Sequence, residues 1–332
     1  MKGSTEVEVG PEVLAALREE FSSGESRLSL EAFIRCVLYH PRIGYYRQQR
    51  QRVGRNPETD FYTASSLGRL FPRLVLASVQ DLLGDDLHDY TFVEAGPESR
   101  LGILGELDEH PFKEVRLIRP GEPFELPRKT VLFSNELFDA QPFRRFVSHS
   151  GRWREAGVGL GESTIHWTTL DPGDTLPELP PGAPEGYTID WPEAAHRLLG
   201  DIAGQDWQGL FLAFDYGLDR AILFNERPEG TGRTYSGHTM GSDLLADPGN
   251  IDITCHIVWD VMEEILTKAG FKSVSLLRQE AFFMRHGQTV IREILQSGPA
   301  GFSPEKQTLM ELVHPANLGH KFQVLAALRG ES

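Results

Sequence analysis

Cysteine is almost missing from these 332 residues. Cys36 and Cys255 stand far apart, which excludes a disulfide framework, and no Cys/His spacing suits zinc. No run of about 18 apolar residues occurs, so no helical membrane span is expected. Positive charge is the minority: 33 Lys and Arg stand against 48 Asp and Glu, for a net charge of −15. An acidic chain repels phosphate backbones, so nucleic acid is not expected as a partner. The stretch Arg47 to Arg55, with four arginines, reads as a solvated loop. A Gly-x-Gly-x-x-Gly fingerprint is absent, which counts against an NAD-dependent oxidoreductase. No Gly-x-Ser-x-Gly elbow supports a hydrolase. The opening MKGSTEVEVGPEV lacks both the apolar core of a signal peptide and the Arg/Ser bias of a transit peptide, so a cytoplasmic location is expected.

What is there is an ordinary globular composition, 40% hydrophobic and 24% charged, with length for about two domains. The stretch Tyr90 to Leu107 organises the chain. It opens as a strand at Phe92 and Val93 and turns at Glu94-Ala95-Gly96-Pro97. Leu101, Leu104 and Leu107 then predict a helix. A strand that ends at an acidic residue and a glycine before a helix builds a ligand crevice in an open α/β sheet. N–H groups at such a helix start would face an anionic group.

Elsewhere, Pro11 to Phe21 and Leu30 to Tyr39 predict helices, the second capped by Ser29. Leu67 to Leu83 predicts another. Val115 to Ile118, Thr130 to Phe133 and Gly209 to Asp215 read as buried strands. Phe143 to Val147, Trp153 to Gly159 and Thr164 to Thr169 read as antiparallel strands. Arg227 to Ile251 reads as a long polar loop. Helices are expected at Trp191 to Ile202, Val258 to Ala269, Thr289 to Leu295 and Pro304 to Leu312. Final strands fall at Phe271 to Leu276 and Lys321 to Leu328. The alternation predicts a mostly parallel sheet.

Seven pieces, in order, resemble the MidA-like family of S-adenosylmethionine-dependent methyltransferases, whose mitochondrial members assist respiratory complex I assembly. They are LYHPRIGYY (38–46), DFYTASSLGRLF (60–71), FVEAGPESRLGIL (92–104), SNELFDAQPFRRF (134–146), AFDYG (213–217), LADPGNIDITCHI (245–257) and the text from His314 to Leu328. The resemblance implies a Rossmann-like class I methyltransferase sheet over 63–332, with a mixed β/loop insertion around 148–190. A helical N-terminal cap and lid loop would occupy 1–62. It implies S-adenosyl-L-methionine as cofactor and protein arginine as a candidate substrate. A protein is expected as substrate or assembly partner, and a homodimer is left open.

In this reading Tyr46, Asp60, Thr63, Glu94, Gly96 and Asn135 are cofactor-binding candidates. Glu136, Asp139 and Asp215, at the ends of buried strands, are catalytic candidates. Carboxylates suit an arginine substrate because they hold its planar fork and localise charge, so that one nitrogen can attack a methyl group. Asn135 and Asp139 serve the site or cap the following turn. His256 and Asp252 read as structural residues. Two departures from the family pattern stand out. Glu98 and Arg100 occupy loop positions that favour glycine; as an ion pair they would occupy the pocket, and the turn either binds the cofactor or only packs. Arg119, with Glu122 three residues on, stands where an acidic residue would take the ribose hydroxyls, and guanidinium has only donors. Only 39 positions separate Gly96 from Asn135, a shortening comparable to one βα unit of roughly 30 residues. Two functions follow: a working methyltransferase, or a catalytically degenerate relative acting as a binding or assembly factor.

Overall fold

The most continuous apolar runs become the centre of a six-stranded sheet. Its strands are β1 (Thr91–Ala95), β2 (Glu114–Ile118), β3 (Lys129–Asn135), β4 (Gln208–Asp215), β5 (Lys272–Arg278) and β6 (Gln323–Arg329). They lie in the order β2-β1-β3-β4-β6-β5. The first four are mutually parallel, and β6 runs antiparallel between β4 and β5. This computed structural model describes residues 6–20, 26–48, 68–172, 176–237, 239–296, 304–313 and 322–330.

Alternate side chains explain the apolar runs of β1, β3 and β4. Phe92, Val131, Phe133, Leu212 and Phe214 pack on Phe71, Leu74 and Val75 of the helix Leu70–Leu83. Val93, Leu132, Phe211 and Ala213 face Ala195 and Leu199 of the helix Glu193–Ala203, with Trp259 and Met262 of the helix Trp259–Lys268. With both faces covered, polar residues survive only at the strand ends. Because the chain runs from β1 outward to β2 and then returns to β3 on the other side, the crevice falls at the carboxyl ends of β1 and β3. Register sets Ala95 beside Ser134 and Ser134 beside Ala213, so the three ends are level.

The helix expected after Gly96 does not form; a four-residue 3-10 turn, Ile103–Glu106, stands there instead. Gly102 takes φ +68°, a left-handed conformation, and Gly105 adds a second weak helix former. Leu101, counted as part of the apolar stripe, is 66% exposed. The link from β2 to β3 also lacks a helix among the described residues, so β2 closes that side as an edge strand.

Helix Leu30–Tyr39 forms as expected, with Ser29 Oγ accepting the Ala32 N–H at 3.1 Å. The inserted strands Arg144–His149, Arg152–Leu160 and Thr164–Leu170 belong to an antiparallel sheet that also takes in Thr188–Trp191. Val7–Glu8 and Arg27–Ser29, both unexpected, pair with it. Phe33, Val37 and Leu38 then pack on Val158, Ile165 and Ile253, so the N-terminal helices and the insertion form one layer. The polar segment 227–251 is not all loop: Arg233–Ser236 and Thr239–Gly241 make a hairpin that pairs with Asp252–Thr254. Helices Arg220–Glu226 and Gln279–His286 were likewise unexpected. Among the described residues no helix is long and apolar enough to cross a membrane.

Candidate functional site

The end of β1 sets the first half of the site. Glu94 is 3% exposed, and its Oε2 accepts the Ile103 N–H at 2.7 Å, folding the loop back over the strand. Gly102 sits against that carboxylate and Leu117, so any Cβ there would collide with both. It is a site residue that the sequence reading missed; its signal was a second glycine six positions beyond Gly96. Gly96 also takes a left-handed conformation, φ +69°, and donates to Ile118 O at 2.9 Å. Among the described residues, the N–H groups of Ser99, Arg100 and Leu101 meet no protein acceptor. Of the three, Ser99 lines the cleft between the ends of β1 and β3.

Glu98 does not pair with Arg100. Its Oε1 accepts from Asn135 Nδ2 at 2.7 Å, joining the loop after β1 to the end of β3. Asn135 is 5% exposed and its Oδ1 has no partner. Arg119 Nη2 instead donates to the carbonyls of Ser99 (3.5 Å) and Arg100 (2.7 Å), while Glu122 Oε2 accepts the Arg119 N–H at 2.7 Å. Both candidates for the ribose end are therefore engaged in local structure. Glu94, Gly96, Glu98, Gly102 and Asn135 line the same small cleft.

Burial raises the Glu94 carboxyl to about 7, with Glu98 adding to the rise; the Ile103 N–H and Arg119 oppose it. The folded value lies above the usual 4.5, so the folded state holds the extra proton. Its contribution to stability is full below about pH 4.5 and is lost as pH rises through about 7. Glu94→Gln keeps an acceptor for Ile103. Urea denaturation should show the variant gaining on the wild type by on the order of 3 kcal/mol between about pH 5 and about pH 8. A constant difference across that range would refute the assignment.

The second half of the site is acidic. Glu136 follows β3 in a left-handed backbone, φ +52°, which a non-glycine residue rarely adopts, and its N–H donates to Phe214 O. Burial holds its carboxyl well above the usual range, helped by Glu98, Asp215 and Asp252. Asp215 is wholly buried. It accepts the N–H groups of Phe138 (2.8 Å) and Tyr216 (2.9 Å) and a hydrogen bond from Asp139. Its carboxyl is raised to about 7 by burial, against those backbone bonds. Asp139 is 3% exposed, with Oδ1 unpartnered, and burial and Asp215 push it well up. The capping role considered for Asp139 thus falls to Asp215, which holds the turn that carries Glu136 and Asp139. Among the described residues no three acidic, His or Cys groups are arranged to hold a metal ion.

The N-terminal layer reaches both halves. Tyr46 Oη donates to Asp252 Oδ1 at 2.8 Å, Tyr39 Oη to Ala140 O at 2.9 Å, and Arg47 to the Pro120 carbonyl. Tyr46 therefore meets the acidic end. Asp60 and Thr63 lie outside the described residues. His256 is held to about 4 by burial and is neutral, with its Nδ1 unpartnered.

A family model described as "Putative S-adenosyl-L-methionine-dependent methyltransferase" matches residues 76–276, more than half of the chain. A COG1565 superfamily member from Burkholderia thailandensis, solved with S-adenosyl-homocysteine bound, superposes with a TM-score of 0.80. It is 22% identical, with 99% of this chain and 96% of that one covered. A native structure of a COG1565 superfamily protein from the same organism gives a TM-score of 0.77 at the same identity and coverage. No curated protein matches the chain. The likenesses show the fold: a Rossmann-like class I methyltransferase sheet with a helical cap and an inserted mixed β/loop region.

Proposed function

Because the chain belongs to this family of S-adenosyl-L-methionine-dependent methyltransferases, we propose that it methylates a guanidinium nitrogen of protein arginine, as the MidA-like resemblance implies. The observation that carries this reading is the convergence of Glu136, Asp139 and Asp215 beside Asp252: burial raises the first three carboxyls, and neighbouring carboxylates add to the rise at Glu136 and Asp139. Such a cluster holds protons until a cation replaces them. A planar, permanently charged guanidinium answers that need, and carboxylates bind it bidentately.

The cleft after β1 fits the amino-acid end of the cofactor. Asn135 Oδ1 is buried without a partner, Glu98 and Glu94 offer carboxylates to an ammonium, and the loop N–H groups offer donors to a carboxylate. When bound, the cofactor supplies an electrophilic methyl group on sulfur. Glu136 would orient the guanidinium and would take up the proton that its nitrogen gives up on methylation. Asp215 and Asp139 act as positioning residues, holding the turn beneath Glu136. Orientation of the reacting groups would provide much of the rate.

The second reading, a non-catalytic binding or assembly factor, is favoured by one observation: the two residues expected at the ribose end are held in local structure, Arg119 by the loop carbonyls and Glu122 by the Arg119 N–H. Two measurements separate the readings. Calorimetry with S-adenosyl-homocysteine should show saturable binding, and labelled methyl groups should pass to an arginine peptide but not to its lysine counterpart. Absence of both would leave the binding-factor reading; transfer to lysine instead would overturn the guanidinium assignment.

A further inference from the structure

The small sheet beside the acidic cluster has a graded row of side chains on one face. Register pairs Tyr235 with Asp252 on one side and with Met240 on the other. Directly paired residues of antiparallel strands project to the same face. Asp252 is 3% exposed and holds the Tyr46 hydroxyl; Tyr235 is half-buried; Met240 is 61% exposed. The Tyr235 hydroxyl lies 3.5 Å from Met240 Sδ. The neighbouring row, Thr234 with Ile253, is buried, so the hairpin is fixed by one face and open on the other. Asp139, Glu136 and Asp252 all act on the Tyr235 hydroxyl, which sets that ring against the acidic cluster.

We infer that Tyr235 and Met240 form a specificity-determining lip, which holds an apolar side chain next to the arginine that enters the acidic crevice. The substrate is accordingly a polypeptide segment with a bulky apolar residue flanking its arginine, rather than a free small guanidinium compound. This rests on the guanidinium reading above. The row runs from a buried carboxylate through an aromatic ring to a soft thioether, matching a charged tip, an alkyl stem and an apolar neighbour in sequence. Methionine suits such a surface because its unbranched chain adapts to different partners. A small substrate wholly swallowed by the crevice would have no contact for Met240 to make.

The test is binding, read by fluorescence anisotropy on the full chain with S-adenosyl-homocysteine present. One labelled peptide carries an arginine between two leucines; its twin carries serines in their place. Met240→Ser should weaken the leucine peptide by about fivefold to tenfold and leave the serine peptide within about twofold. Met284→Ser, which removes a comparably exposed methionine from an outer helix, should change neither. Glu136→Gln should weaken both peptides alike. Equal effects of Met240→Ser on the two peptides, or no effect, would overturn the lip while leaving the guanidinium reading standing. Loss at Met240 without loss at Glu136 would sink the guanidinium reading and keep the lip. If neither peptide binds, the lip is overturned, and methyl transfer to a small guanidinium compound still decides the underlying reading.

Discussion

Glu136→Gln lowers the rate of methyl transfer to an arginine peptide by about 10²- to 10³-fold, the range expected when a positioned proton acceptor is removed. The amide keeps the side chain's length and leaves the left-handed backbone in place, so the fold and the cleft after β1 are preserved. Affinity for S-adenosyl-homocysteine should accordingly remain within about twofold, because Glu136 stands beyond Asn135 from that cleft. Glu136→Gly provides the complementary control. It relieves the φ +52° strain, and stability should rise by about 1 kcal/mol while transfer is lost. Gain of stability with loss of activity is the signature of a strained functional position. Unchanged turnover in Glu136→Gln would remove this residue from the mechanism.

Asp215→Ala lowers the stability of the whole molecule by about 3 kcal/mol, as measured by urea denaturation. The two backbone donors that now meet Asp215, Phe138 N–H at 2.8 Å and Tyr216 N–H at 2.9 Å, lie in buried surroundings. Each would lose a partner, at about 1–3 kcal/mol apiece. Removal of a buried carboxyl raised to about 7 returns part of that loss. Asp215→Asn retains one acceptor oxygen, so its loss should be smaller. Transfer should fall in both variants, since the turn from Glu136 to Asp139 loses its anchor. A loss under about 1 kcal/mol for the alanine variant would show that the turn is held by something else.

The three strands that frame the crevice could be read from the chain because each carries an apolar run buried on both faces. The helix Leu30–Tyr39 could be read because Ser29 supplies a cap by local chemistry alone. The segment after Gly96 misled because Leu101, Leu104 and Leu107 have helical spacing. Spacing says nothing of Gly102, whose left-handed backbone brings the loop onto Glu94. Strands of two or three residues, such as Val7–Glu8 and Arg27–Ser29, exist only through partners more than a hundred residues away. No local pattern announces them. The hairpin at 233–241 reads as polar loop for a related reason: its outer row borders a charged crevice instead of a core. At the site itself, Glu136 and Glu94 were legible as polar residues ending buried strands. The attachment of Glu98 to Asn135, and of Arg119 to the loop carbonyls, was not, because both join segments that only the sheet brings together.

The short passage between Gly96 and Asn135 has an effect at the margin of the sheet. β2 pairs with β1 alone among the described strands, so its other flank carries main-chain donors and acceptors that a strand from a second molecule would match. Its outward residues Glu114 and Arg116 are charged and bonded to each other at 2.9 Å, and charge at such a margin discourages intermolecular zippering. Two side chains outside the candidate site therefore guard that margin.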